Sequence, residues 1–233
     1  MAFLQSAPPR EPFLHAPPSV LWLIGALVLA HIARILAPAP IPDDILLRYA
    51  FDPASYSVGA GSGGSIALAI PFVSYMFLHA DFVHLSLNCV WLLVFGSIVA
   101  RRYGTGLFFL FFIVCGIAGI SVYLALNWGS PERVIGASGG ISGLMAAGIR
   151  MYRWPGPKGA HSLAPILSSP ILLFTGLWIA TNLLAGLTGF GGEGEIHQIA
   201  WQAHLGGYFA GLFLPELFDA LYRRNRSKSS DPD

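Results

Sequence analysis

Charge is the first property that this sequence has little of. Only 11% of its 233 residues are Asp, Glu, Lys or Arg, whereas a soluble domain averages about 25%. The formal net charge of +1 leaves no basic surface of the kind that binds nucleic acid, so no nucleic-acid partner is expected. Cysteine is scarce too. Cys89 and Cys115 each lie inside an apolar run, where a thiol packs as a small apolar side chain, and they predict no disulfide framework.

Apolar residues are abundant instead. They make up 55% of the chain, and the mean hydropathy is +0.63, which indicates an all-α membrane protein because each span needs about 20 mostly apolar residues. Residues 1–18 are proline-rich and expected to be disordered, residues 19–222 to form one transmembrane domain, and residues 223–233 a basic, polar tail. Six transmembrane helices are predicted, at Ser19–Ala37, Phe72–Ala100, Gly106–Asn127, Ser138–Met151, Ile166–Leu187 and Ile199–Tyr222.

The basic residues separate by loop and predict the orientation. Loops rich in Lys and Arg face the cytoplasm, so both termini are predicted to be cytoplasmic. Arg34, Arg48 and Arg133 fall on the opposite side. No internal repeat is visible, which disfavours an inverted-repeat transporter. The basic residues on the cytoplasmic side are Arg10, Arg101, Arg102, Arg150, Arg153, Lys158, Arg223, Arg224, Arg226 and Lys228.

The fourth predicted span is too short to cross a bilayer alone. Ser138 to Arg150 covers about 18 Å of helix, whereas the hydrocarbon core is about 30 Å thick. If Arg150 marks the inner boundary, the residues 134–137 that precede Ser138 are non-helical at membrane depth. Such backbone is tolerated only where protein or a water-filled cavity surrounds it. The short span therefore predicts a wet pocket that opens to the outer side, with Ser138 at its floor.

The same measure places other polar residues at a similar depth. His204 lies 12 residues before Glu216 on the sixth span, and Asn88 lies at a matching distance from the inner end of the second. His84 is one turn from Asn88 on the same helix face. His79, five residues before His84, is predicted to face elsewhere and to tie the second helix to the first outer loop.

Small residues predict which helices touch, because a spacing of four between them lets two helices approach closely. The pairs are Gly136 with Gly140 and Gly139 with Gly143 in the fourth span, and Gly207 with Gly211 in the sixth. We predict that these glycines bring the fourth helix against the sixth, so that the Ser138 hydroxyl reaches the His204 imidazole.

Structural roles compete with catalytic ones for several of these polar residues. A serine within a membrane helix more often bonds a carbonyl one turn back, which is the prediction for Ser142. Ser138 begins its helix, where it could serve as an N-cap. Asn182 is interpreted as an interhelical contact and His31 as an interfacial residue.

Other chemistries find less support in the sequence. A metal site would need ligands at recognisable spacing, such as H-E-x-x-H, and the histidines do not have it; neither a metal nor a cofactor is expected. A proton relay would need an acidic residue at mid-depth in the membrane, and the predicted spans place none there. A Ser–His–Asp triad fails because Asp219 lies about 22 Å along the helix from His204. The sequence supports a dyad, with Ser138 as nucleophile and His204 as general base and then acid.

Three segments carry a family resemblance. HADFVHLSLN (79–88), GASG (136–139) and AHLGGYFAG (203–211) closely resemble the signature segments of rhomboid intramembrane serine proteases, in order, helix number and spacing. The resemblance implies a six-helix rhomboid core that hydrolyses peptide bonds in or near transmembrane segments of other membrane proteins. It also implies that His84, Asn88 and the backbone N–H of Ser138 form the oxyanion hole.

Two positions depart from the family pattern. Many relatives carry a Trp-Arg pair before the second helix, where this chain has Ile70-Pro71. Many relatives also have an aromatic residue four positions after the nucleophile, packed on the histidine, and this chain has Ser142. Another side chain must then hold the His204 ring, and Tyr208, one turn away on the same face, is predicted to do so.

The leading hypothesis is therefore an active protease of the bacterial inner membrane, with its site open to the outer side. Its expected partners are transmembrane protein substrates and the lipid bilayer. The alternative is a catalytically silent rhomboid-like protein that binds transmembrane helices, although silent members generally lack the serine or the histidine. The glycine-rich outer loop Leu187–Gln198 is predicted to be a mobile cap over the pocket.

Overall fold

The computed structural model describes residues 16–57, 64–152, 162–188 and 200–229. Most of the proline-rich N-terminus, nearly all of the predicted cap and the last residues of the tail lie outside these ranges. Within them the chain is helical and contains no strand; a single isolated backbone bridge joins Phe51 to Val134.

The first helix, α1 (Pro18–Leu36), coincides closely with the first predicted span. Its buried residues Val20, Leu23, Leu27 and His31 recur every three or four positions and form one inward stripe. The first outer loop that follows is built from short helices. These are α2 (Ile41–Tyr49), α3 (Ala54–Ser57), α4 (Gly64–Ala69) and α5 (Pro71–Ser74), followed by a 3₁₀ turn at Tyr75–Phe77.

The second predicted span, Phe72–Ala100, is wrong in its first third. Residues 78–81 are not helical, and the continuous helix α6 (Phe82–Trp91) begins only after them. Asp81 caps this helix, because its extended backbone lets the carboxylate accept the N–H of His84 at 2.7 Å. Arg34 of α1 donates to the carbonyl of His79 at 2.8 Å, so the break is stabilised from outside the helix.

The second and third predicted spans are joined at one glycine, Gly104. After α6, a π-helical turn (Leu92–Gly96) leads into α7 (Ser97–Leu126). Gly104 interrupts α7 with φ 73° and ψ 179°, a conformation that is essentially restricted to glycine. The chain kinks there, so α7 holds the end of the second predicted span and all of the third except Asn127, its C-cap.

The fourth helix, α8 (Ser138–Met151), begins at the predicted residue and lies at the centre of the protein. All of its residues except Ser138, Ile149 and Met151 are buried. The fifth helix, α9, is Ser169–Thr188. By length and composition, three stretches of the described chain could cross a membrane: Pro18–Leu36, Phe82–Leu126 and Ser169–Thr188. The second of these joins two helices across Gly104.

The sixth predicted span, Ile199–Tyr222, is broken in two. Helix α10 (Trp201–Phe213) ends with Leu214 as its C-cap, and a separate helix, α11 (Pro215–Ser229), begins at Pro215. Proline lacks the N–H that would continue the helical ladder and clashes with the preceding turn, which explains the break. The last helix also extends beyond the predicted end of the span.

Candidate active site

Ser138 and His204 are hydrogen-bonded to each other. Ser138 Oγ lies 2.7 Å from His204 Nε2, although 66 residues separate the two in sequence. Ser138 is the first residue of α8, and Ala137 occupies the N-cap position without a side-chain cap. The hydroxyl therefore pairs with the imidazole instead of capping its own helix.

The backbone before Ser138 is non-helical, as the short fourth span predicted, and protein groups satisfy it. Val134 and Phe51 exchange both backbone hydrogen bonds, at 2.8 and 3.0 Å. The N–H of Gly136 donates to the carbonyl of Tyr75 at 2.9 Å. The first outer loop and the 3₁₀ turn thus hold the strand-like approach to α8, so that Ser138 starts its helix at a defined place.

A seam of glycines sets the distance between α8 and α10. A methyl group on Gly207 would run into the carbonyl of Gly139, and one on Gly211 would run into the backbone of Gly143. Both obstacles are backbone, which cannot rotate out of the way. The two helices therefore lie in backbone contact, and this contact brings His204, one turn before Gly207, up to the start of α8.

Helix α7 packs against the glycines on the other side of α8. A methyl group on Gly143 would collide with the side chain of Cys115, and one on Gly140 would lie 2.7 Å from the Phe112 ring. Gly139 faces the hydroxyl of Tyr75, which itself donates to the carbonyl of Gly116 at 2.9 Å. Helix α8 is consequently packed between α7 and α10, with its first turn held from three directions.

The second nitrogen of the histidine has a partner that the sequence analysis did not assign to the site. His204 Nδ1 lies 2.8 Å from Asn182 Oδ1 on α9. Asn182 is 5% exposed, and its Nδ2 donates to the carbonyl of Trp178 at 2.8 Å. Asn182 is interhelical, as interpreted, but the group that it contacts is the imidazole of the serine–histidine pair.

The aromatic neighbour of His204 is Trp178, another residue that sequence reasoning missed. Its ring centroid lies 6.5 Å from that of His204. Tyr208, the residue predicted to hold the histidine ring, stacks on Trp178 at 6.2 Å and shares a hydrogen bond of 2.9 Å with Thr175. Tyr208 thus supports the tryptophan beside the histidine. The only signal in the sequence was that Trp178 and Asn182 lie one turn apart on the fifth helix.

Of the residues predicted for the oxyanion hole, Ser138 begins α8 and His84 lies against the backbone that precedes it. A methyl group on Gly136 (φ 120°) would lie 2.7 Å from His84 Nε2, so the His84 ring packs directly against the backbone that precedes Ser138. Asn88 is buried, and its Nδ2 donates to the carbonyl of His84 at 2.9 Å, which occupies one of its two amide hydrogens.

His79 does not face away from His84. The two ring centroids lie 5.1 Å apart, and His79 is fully buried. The prediction assumed a continuous helix through both residues, whereas His79 precedes the helix, so the helical angle between them does not apply. The tie was predicted to reach the first outer loop, whereas the bond to the His79 carbonyl comes from Arg34 on the first helix, α1.

The fold and the site together define a class: an all-helical, multi-pass membrane protein with a hydrogen-bonded serine–histidine pair among its buried helices. A family model described as "Rhomboid domain" matches residues 67–218, more than half of the chain. The protein belongs to the rhomboid family.

Two relatives show how far the similarity extends. "RHOMBOID-like protein 5" of Arabidopsis thaliana is 24% identical over 238 residues, covering 89% of this chain and 72% of the relative. "Rhomboid protease GlpG" of Serratia proteamaculans is 27% identical over 143 residues, covering 61% of this chain and 46% of the relative. The protein named as a protease is thus matched over less than half of its length.

Proposed function

We propose that this protein is an intramembrane serine protease in which Ser138 is the nucleophile and His204 the general base. The observation that carries the proposal is the 2.7 Å contact between Ser138 Oγ and His204 Nε2 at the start of a buried helix. A serine hydroxyl is a weak nucleophile until an adjacent base takes its proton, and that base must lie within hydrogen-bond reach.

The reaction follows from this geometry. Ser138 Oγ attacks the scissile carbonyl while its proton passes to His204 Nε2, and the imidazolium then gives that proton to the leaving amine. Water then hydrolyses the acyl-enzyme. His204 takes a proton from the attacking water and returns it to Ser138 Oγ as the acid product leaves. The backbone N–H of Ser138, with side-chain donors from His84 and Asn88, would stabilise the negative oxygen of each tetrahedral intermediate. The N-terminus of α8 adds a favourable dipole.

The substrates would be transmembrane segments of other membrane proteins. The short fourth helix, which starts at Ser138, is what the proposal relies on to give water and a substrate segment access to the hydroxyl. The proposal also includes six membrane spans, termini in the cytoplasm, a site that opens to the outer side and a location in the bacterial inner membrane. Loop charge supports the orientation, and similarity to a bacterial protein named as a rhomboid protease supports the activity.

Labelling with a fluorophosphonate probe tests the proposal most directly. The purified protein should be labelled on Ser138, and it should cleave some members of a panel of single-span membrane proteins. Ser138→Ala should abolish both. Ser121→Ala is the matched control, because Ser121 is exposed and donates to the carbonyl of Ile117 on its own helix. A protein that is neither labelled nor active would instead be the silent, helix-binding member of the family.

A further inference from the structure

We propose that Asn182 is a positioning residue that holds His204 in the tautomer and orientation that the reaction requires. The inference rests on the proposed function of the serine–histidine pair and extends that pair to a third residue. Its basis is a continuous chain of contacts from Ser138 through His204 to Asn182, and from Asn182 to the backbone of its own helix.

The hydrogen-bond chain permits one assignment of protons. The carbonyl of Trp178 only accepts, so the Asn182 atom that faces it at 2.8 Å must be Nδ2, a donor. Oδ1 of Asn182 then faces His204, and because Oδ1 only accepts, Nδ1 of the imidazole must carry a hydrogen. In the neutral ring Nε2 is consequently unprotonated and accepts from the Ser138 hydroxyl. Only this tautomer can act as the base.

The same contact remains favourable after the proton has moved. When Nε2 receives the proton of Ser138, Nδ1 still donates to Oδ1, and the amide oxygen then faces a positively charged ring. Charge-assisted hydrogen bonds are roughly twice as strong as neutral ones, so the contact would be stronger in the state that resembles the transition state. An amide also avoids a buried carboxylate, which is costly inside a membrane protein.

Asn182 is fixed well enough to set the direction of the ring. It is 5% exposed, and the bond to Trp178 ties its side chain one turn back on α9. Trp178 itself lies beside the imidazole. One helix therefore supplies both the acceptor for Nδ1 and the aromatic neighbour.

A purely structural role for Asn182 is the competing explanation, and the protein contains its own control. Thr175 and Tyr208 form a second polar bond between α9 and α10, at 2.9 Å, and this bond does not include His204. Thr175→Val removes a bond of the same kind between the same helices. Loss of helix contact alone should therefore affect both variants in the same way.

The experiment compares Asn182→Leu, Asn182→Asp and Thr175→Val in cleavage of a single-span substrate and in thermal unfolding. For Asn182→Leu we expect kcat per folded molecule to fall about 10–100-fold, the range found when a metal-bound histidine loses the partner that fixes its tautomer, with KM little changed. For Asn182→Asp we expect kcat to recover most of this loss. A carboxyl oxygen still accepts from Nδ1, and a protonated carboxyl also donates to the Trp178 carbonyl. Thr175→Val should lower Tm and leave kcat within about twofold.

A second measurement needs no variant. In wild-type protein labelled with ¹⁵N-histidine, the resonances of His204 should show hydrogen on Nδ1 and none on Nε2. Hydrogen on Nε2 would overturn the proposal. So would equal kcat per folded molecule in Asn182→Leu and Thr175→Val, or an Asn182→Asp variant no better than Asn182→Leu. These failures differ from failure of the proposed function, in which wild-type Ser138 itself would be unreactive to the fluorophosphonate probe.

Discussion

Adding one methyl group to Gly207 should separate Ser138 from His204 without altering either residue. The Cβ of Gly207→Ala would overlap the backbone carbonyl of Gly139, the residue that follows Ser138. Neither group can rotate away, so α10 must move from α8 by roughly 1 Å to restore ordinary contact. His204 lies one turn from Gly207 and would move with it.

The expected magnitudes follow from that displacement. The Ser138–His204 distance is 2.7 Å, and an increase of roughly 1 Å takes it beyond the range of a hydrogen bond. A misplacement of this size costs about 10²-fold in rate. Overpacking of a well-filled interior costs about 1–3 kcal/mol of stability, which leaves a folded protein for the assay.

The assay is the rate of fluorophosphonate labelling per folded molecule, with thermal unfolding measured in parallel. Gly176→Ala is the control, because nothing lies within 4 Å of its added methyl group and it makes the same chemical change on α9. It should label at the wild-type rate. The reasoning would be refuted if Gly207→Ala, folded and with an unchanged Tm, also labelled at that rate, since backbone contact would then not set the spacing of the pair.

Three further predictions concern other parts of the protein. Ser138→Ala and His204→Ala should each abolish cleavage and the double variant should be no worse, because members of one catalytic unit are strongly non-additive; comparable turnover in Ser138→Ala would place the nucleophile elsewhere. Asn88→Ala should lower kcat about 10²–10³-fold with KM and Tm nearly unchanged; a lower Tm with activity in proportion to folded protein would indicate a structural role. Arg150→Met should lower Tm strongly, because it leaves the carbonyl of Leu212 without the buried donor that Arg150 supplies and removes the partner of Glu216. Thermal unfolding beside the exposed-site control Arg133→Met tests this, and equal Tm values would contradict it.

The sequence predicted those features that depend on distance along one helix. The fourth span was predicted to begin at Ser138, where α8 begins, and Ser142 donates to the carbonyl of Ser138, one turn back, at 2.7 Å, as predicted. The break at Pro215 had a signal that the span count overlooked, since proline ends a helix at the preceding residue. Asp81 similarly carried the side chain of an N-cap.

Features that depend on how separate helices rotate against one another were not predictable in this way. Asn182 meets His204 only because α9 turns that face toward α10, and nothing in the local sequence of either helix specifies the rotation. Arg150 was interpreted as a boundary marker, yet it is 2% exposed and bonds the carbonyl of Ala164 at 3.0 Å. Its partner Glu216 is 66 residues away, a separation at which sequence spacing carries no information.

Because α8 is buried, the distance between Ser138 and His204 should depend little on the thickness of the bilayer. Thin or thick membranes act on helices that contact lipid, through tilt and hydrophobic mismatch. Exposed apolar side chains such as Leu29 on α1, Leu110 on α7 and Leu173 on α9 mark helices that would feel this. Helix α8 is enclosed by protein along its length and is in backbone contact with α10, so its first turn has no direct mechanical link to acyl-chain length. Changes in membrane thickness should therefore alter how substrate segments reach Ser138 far more than they alter its distance from His204.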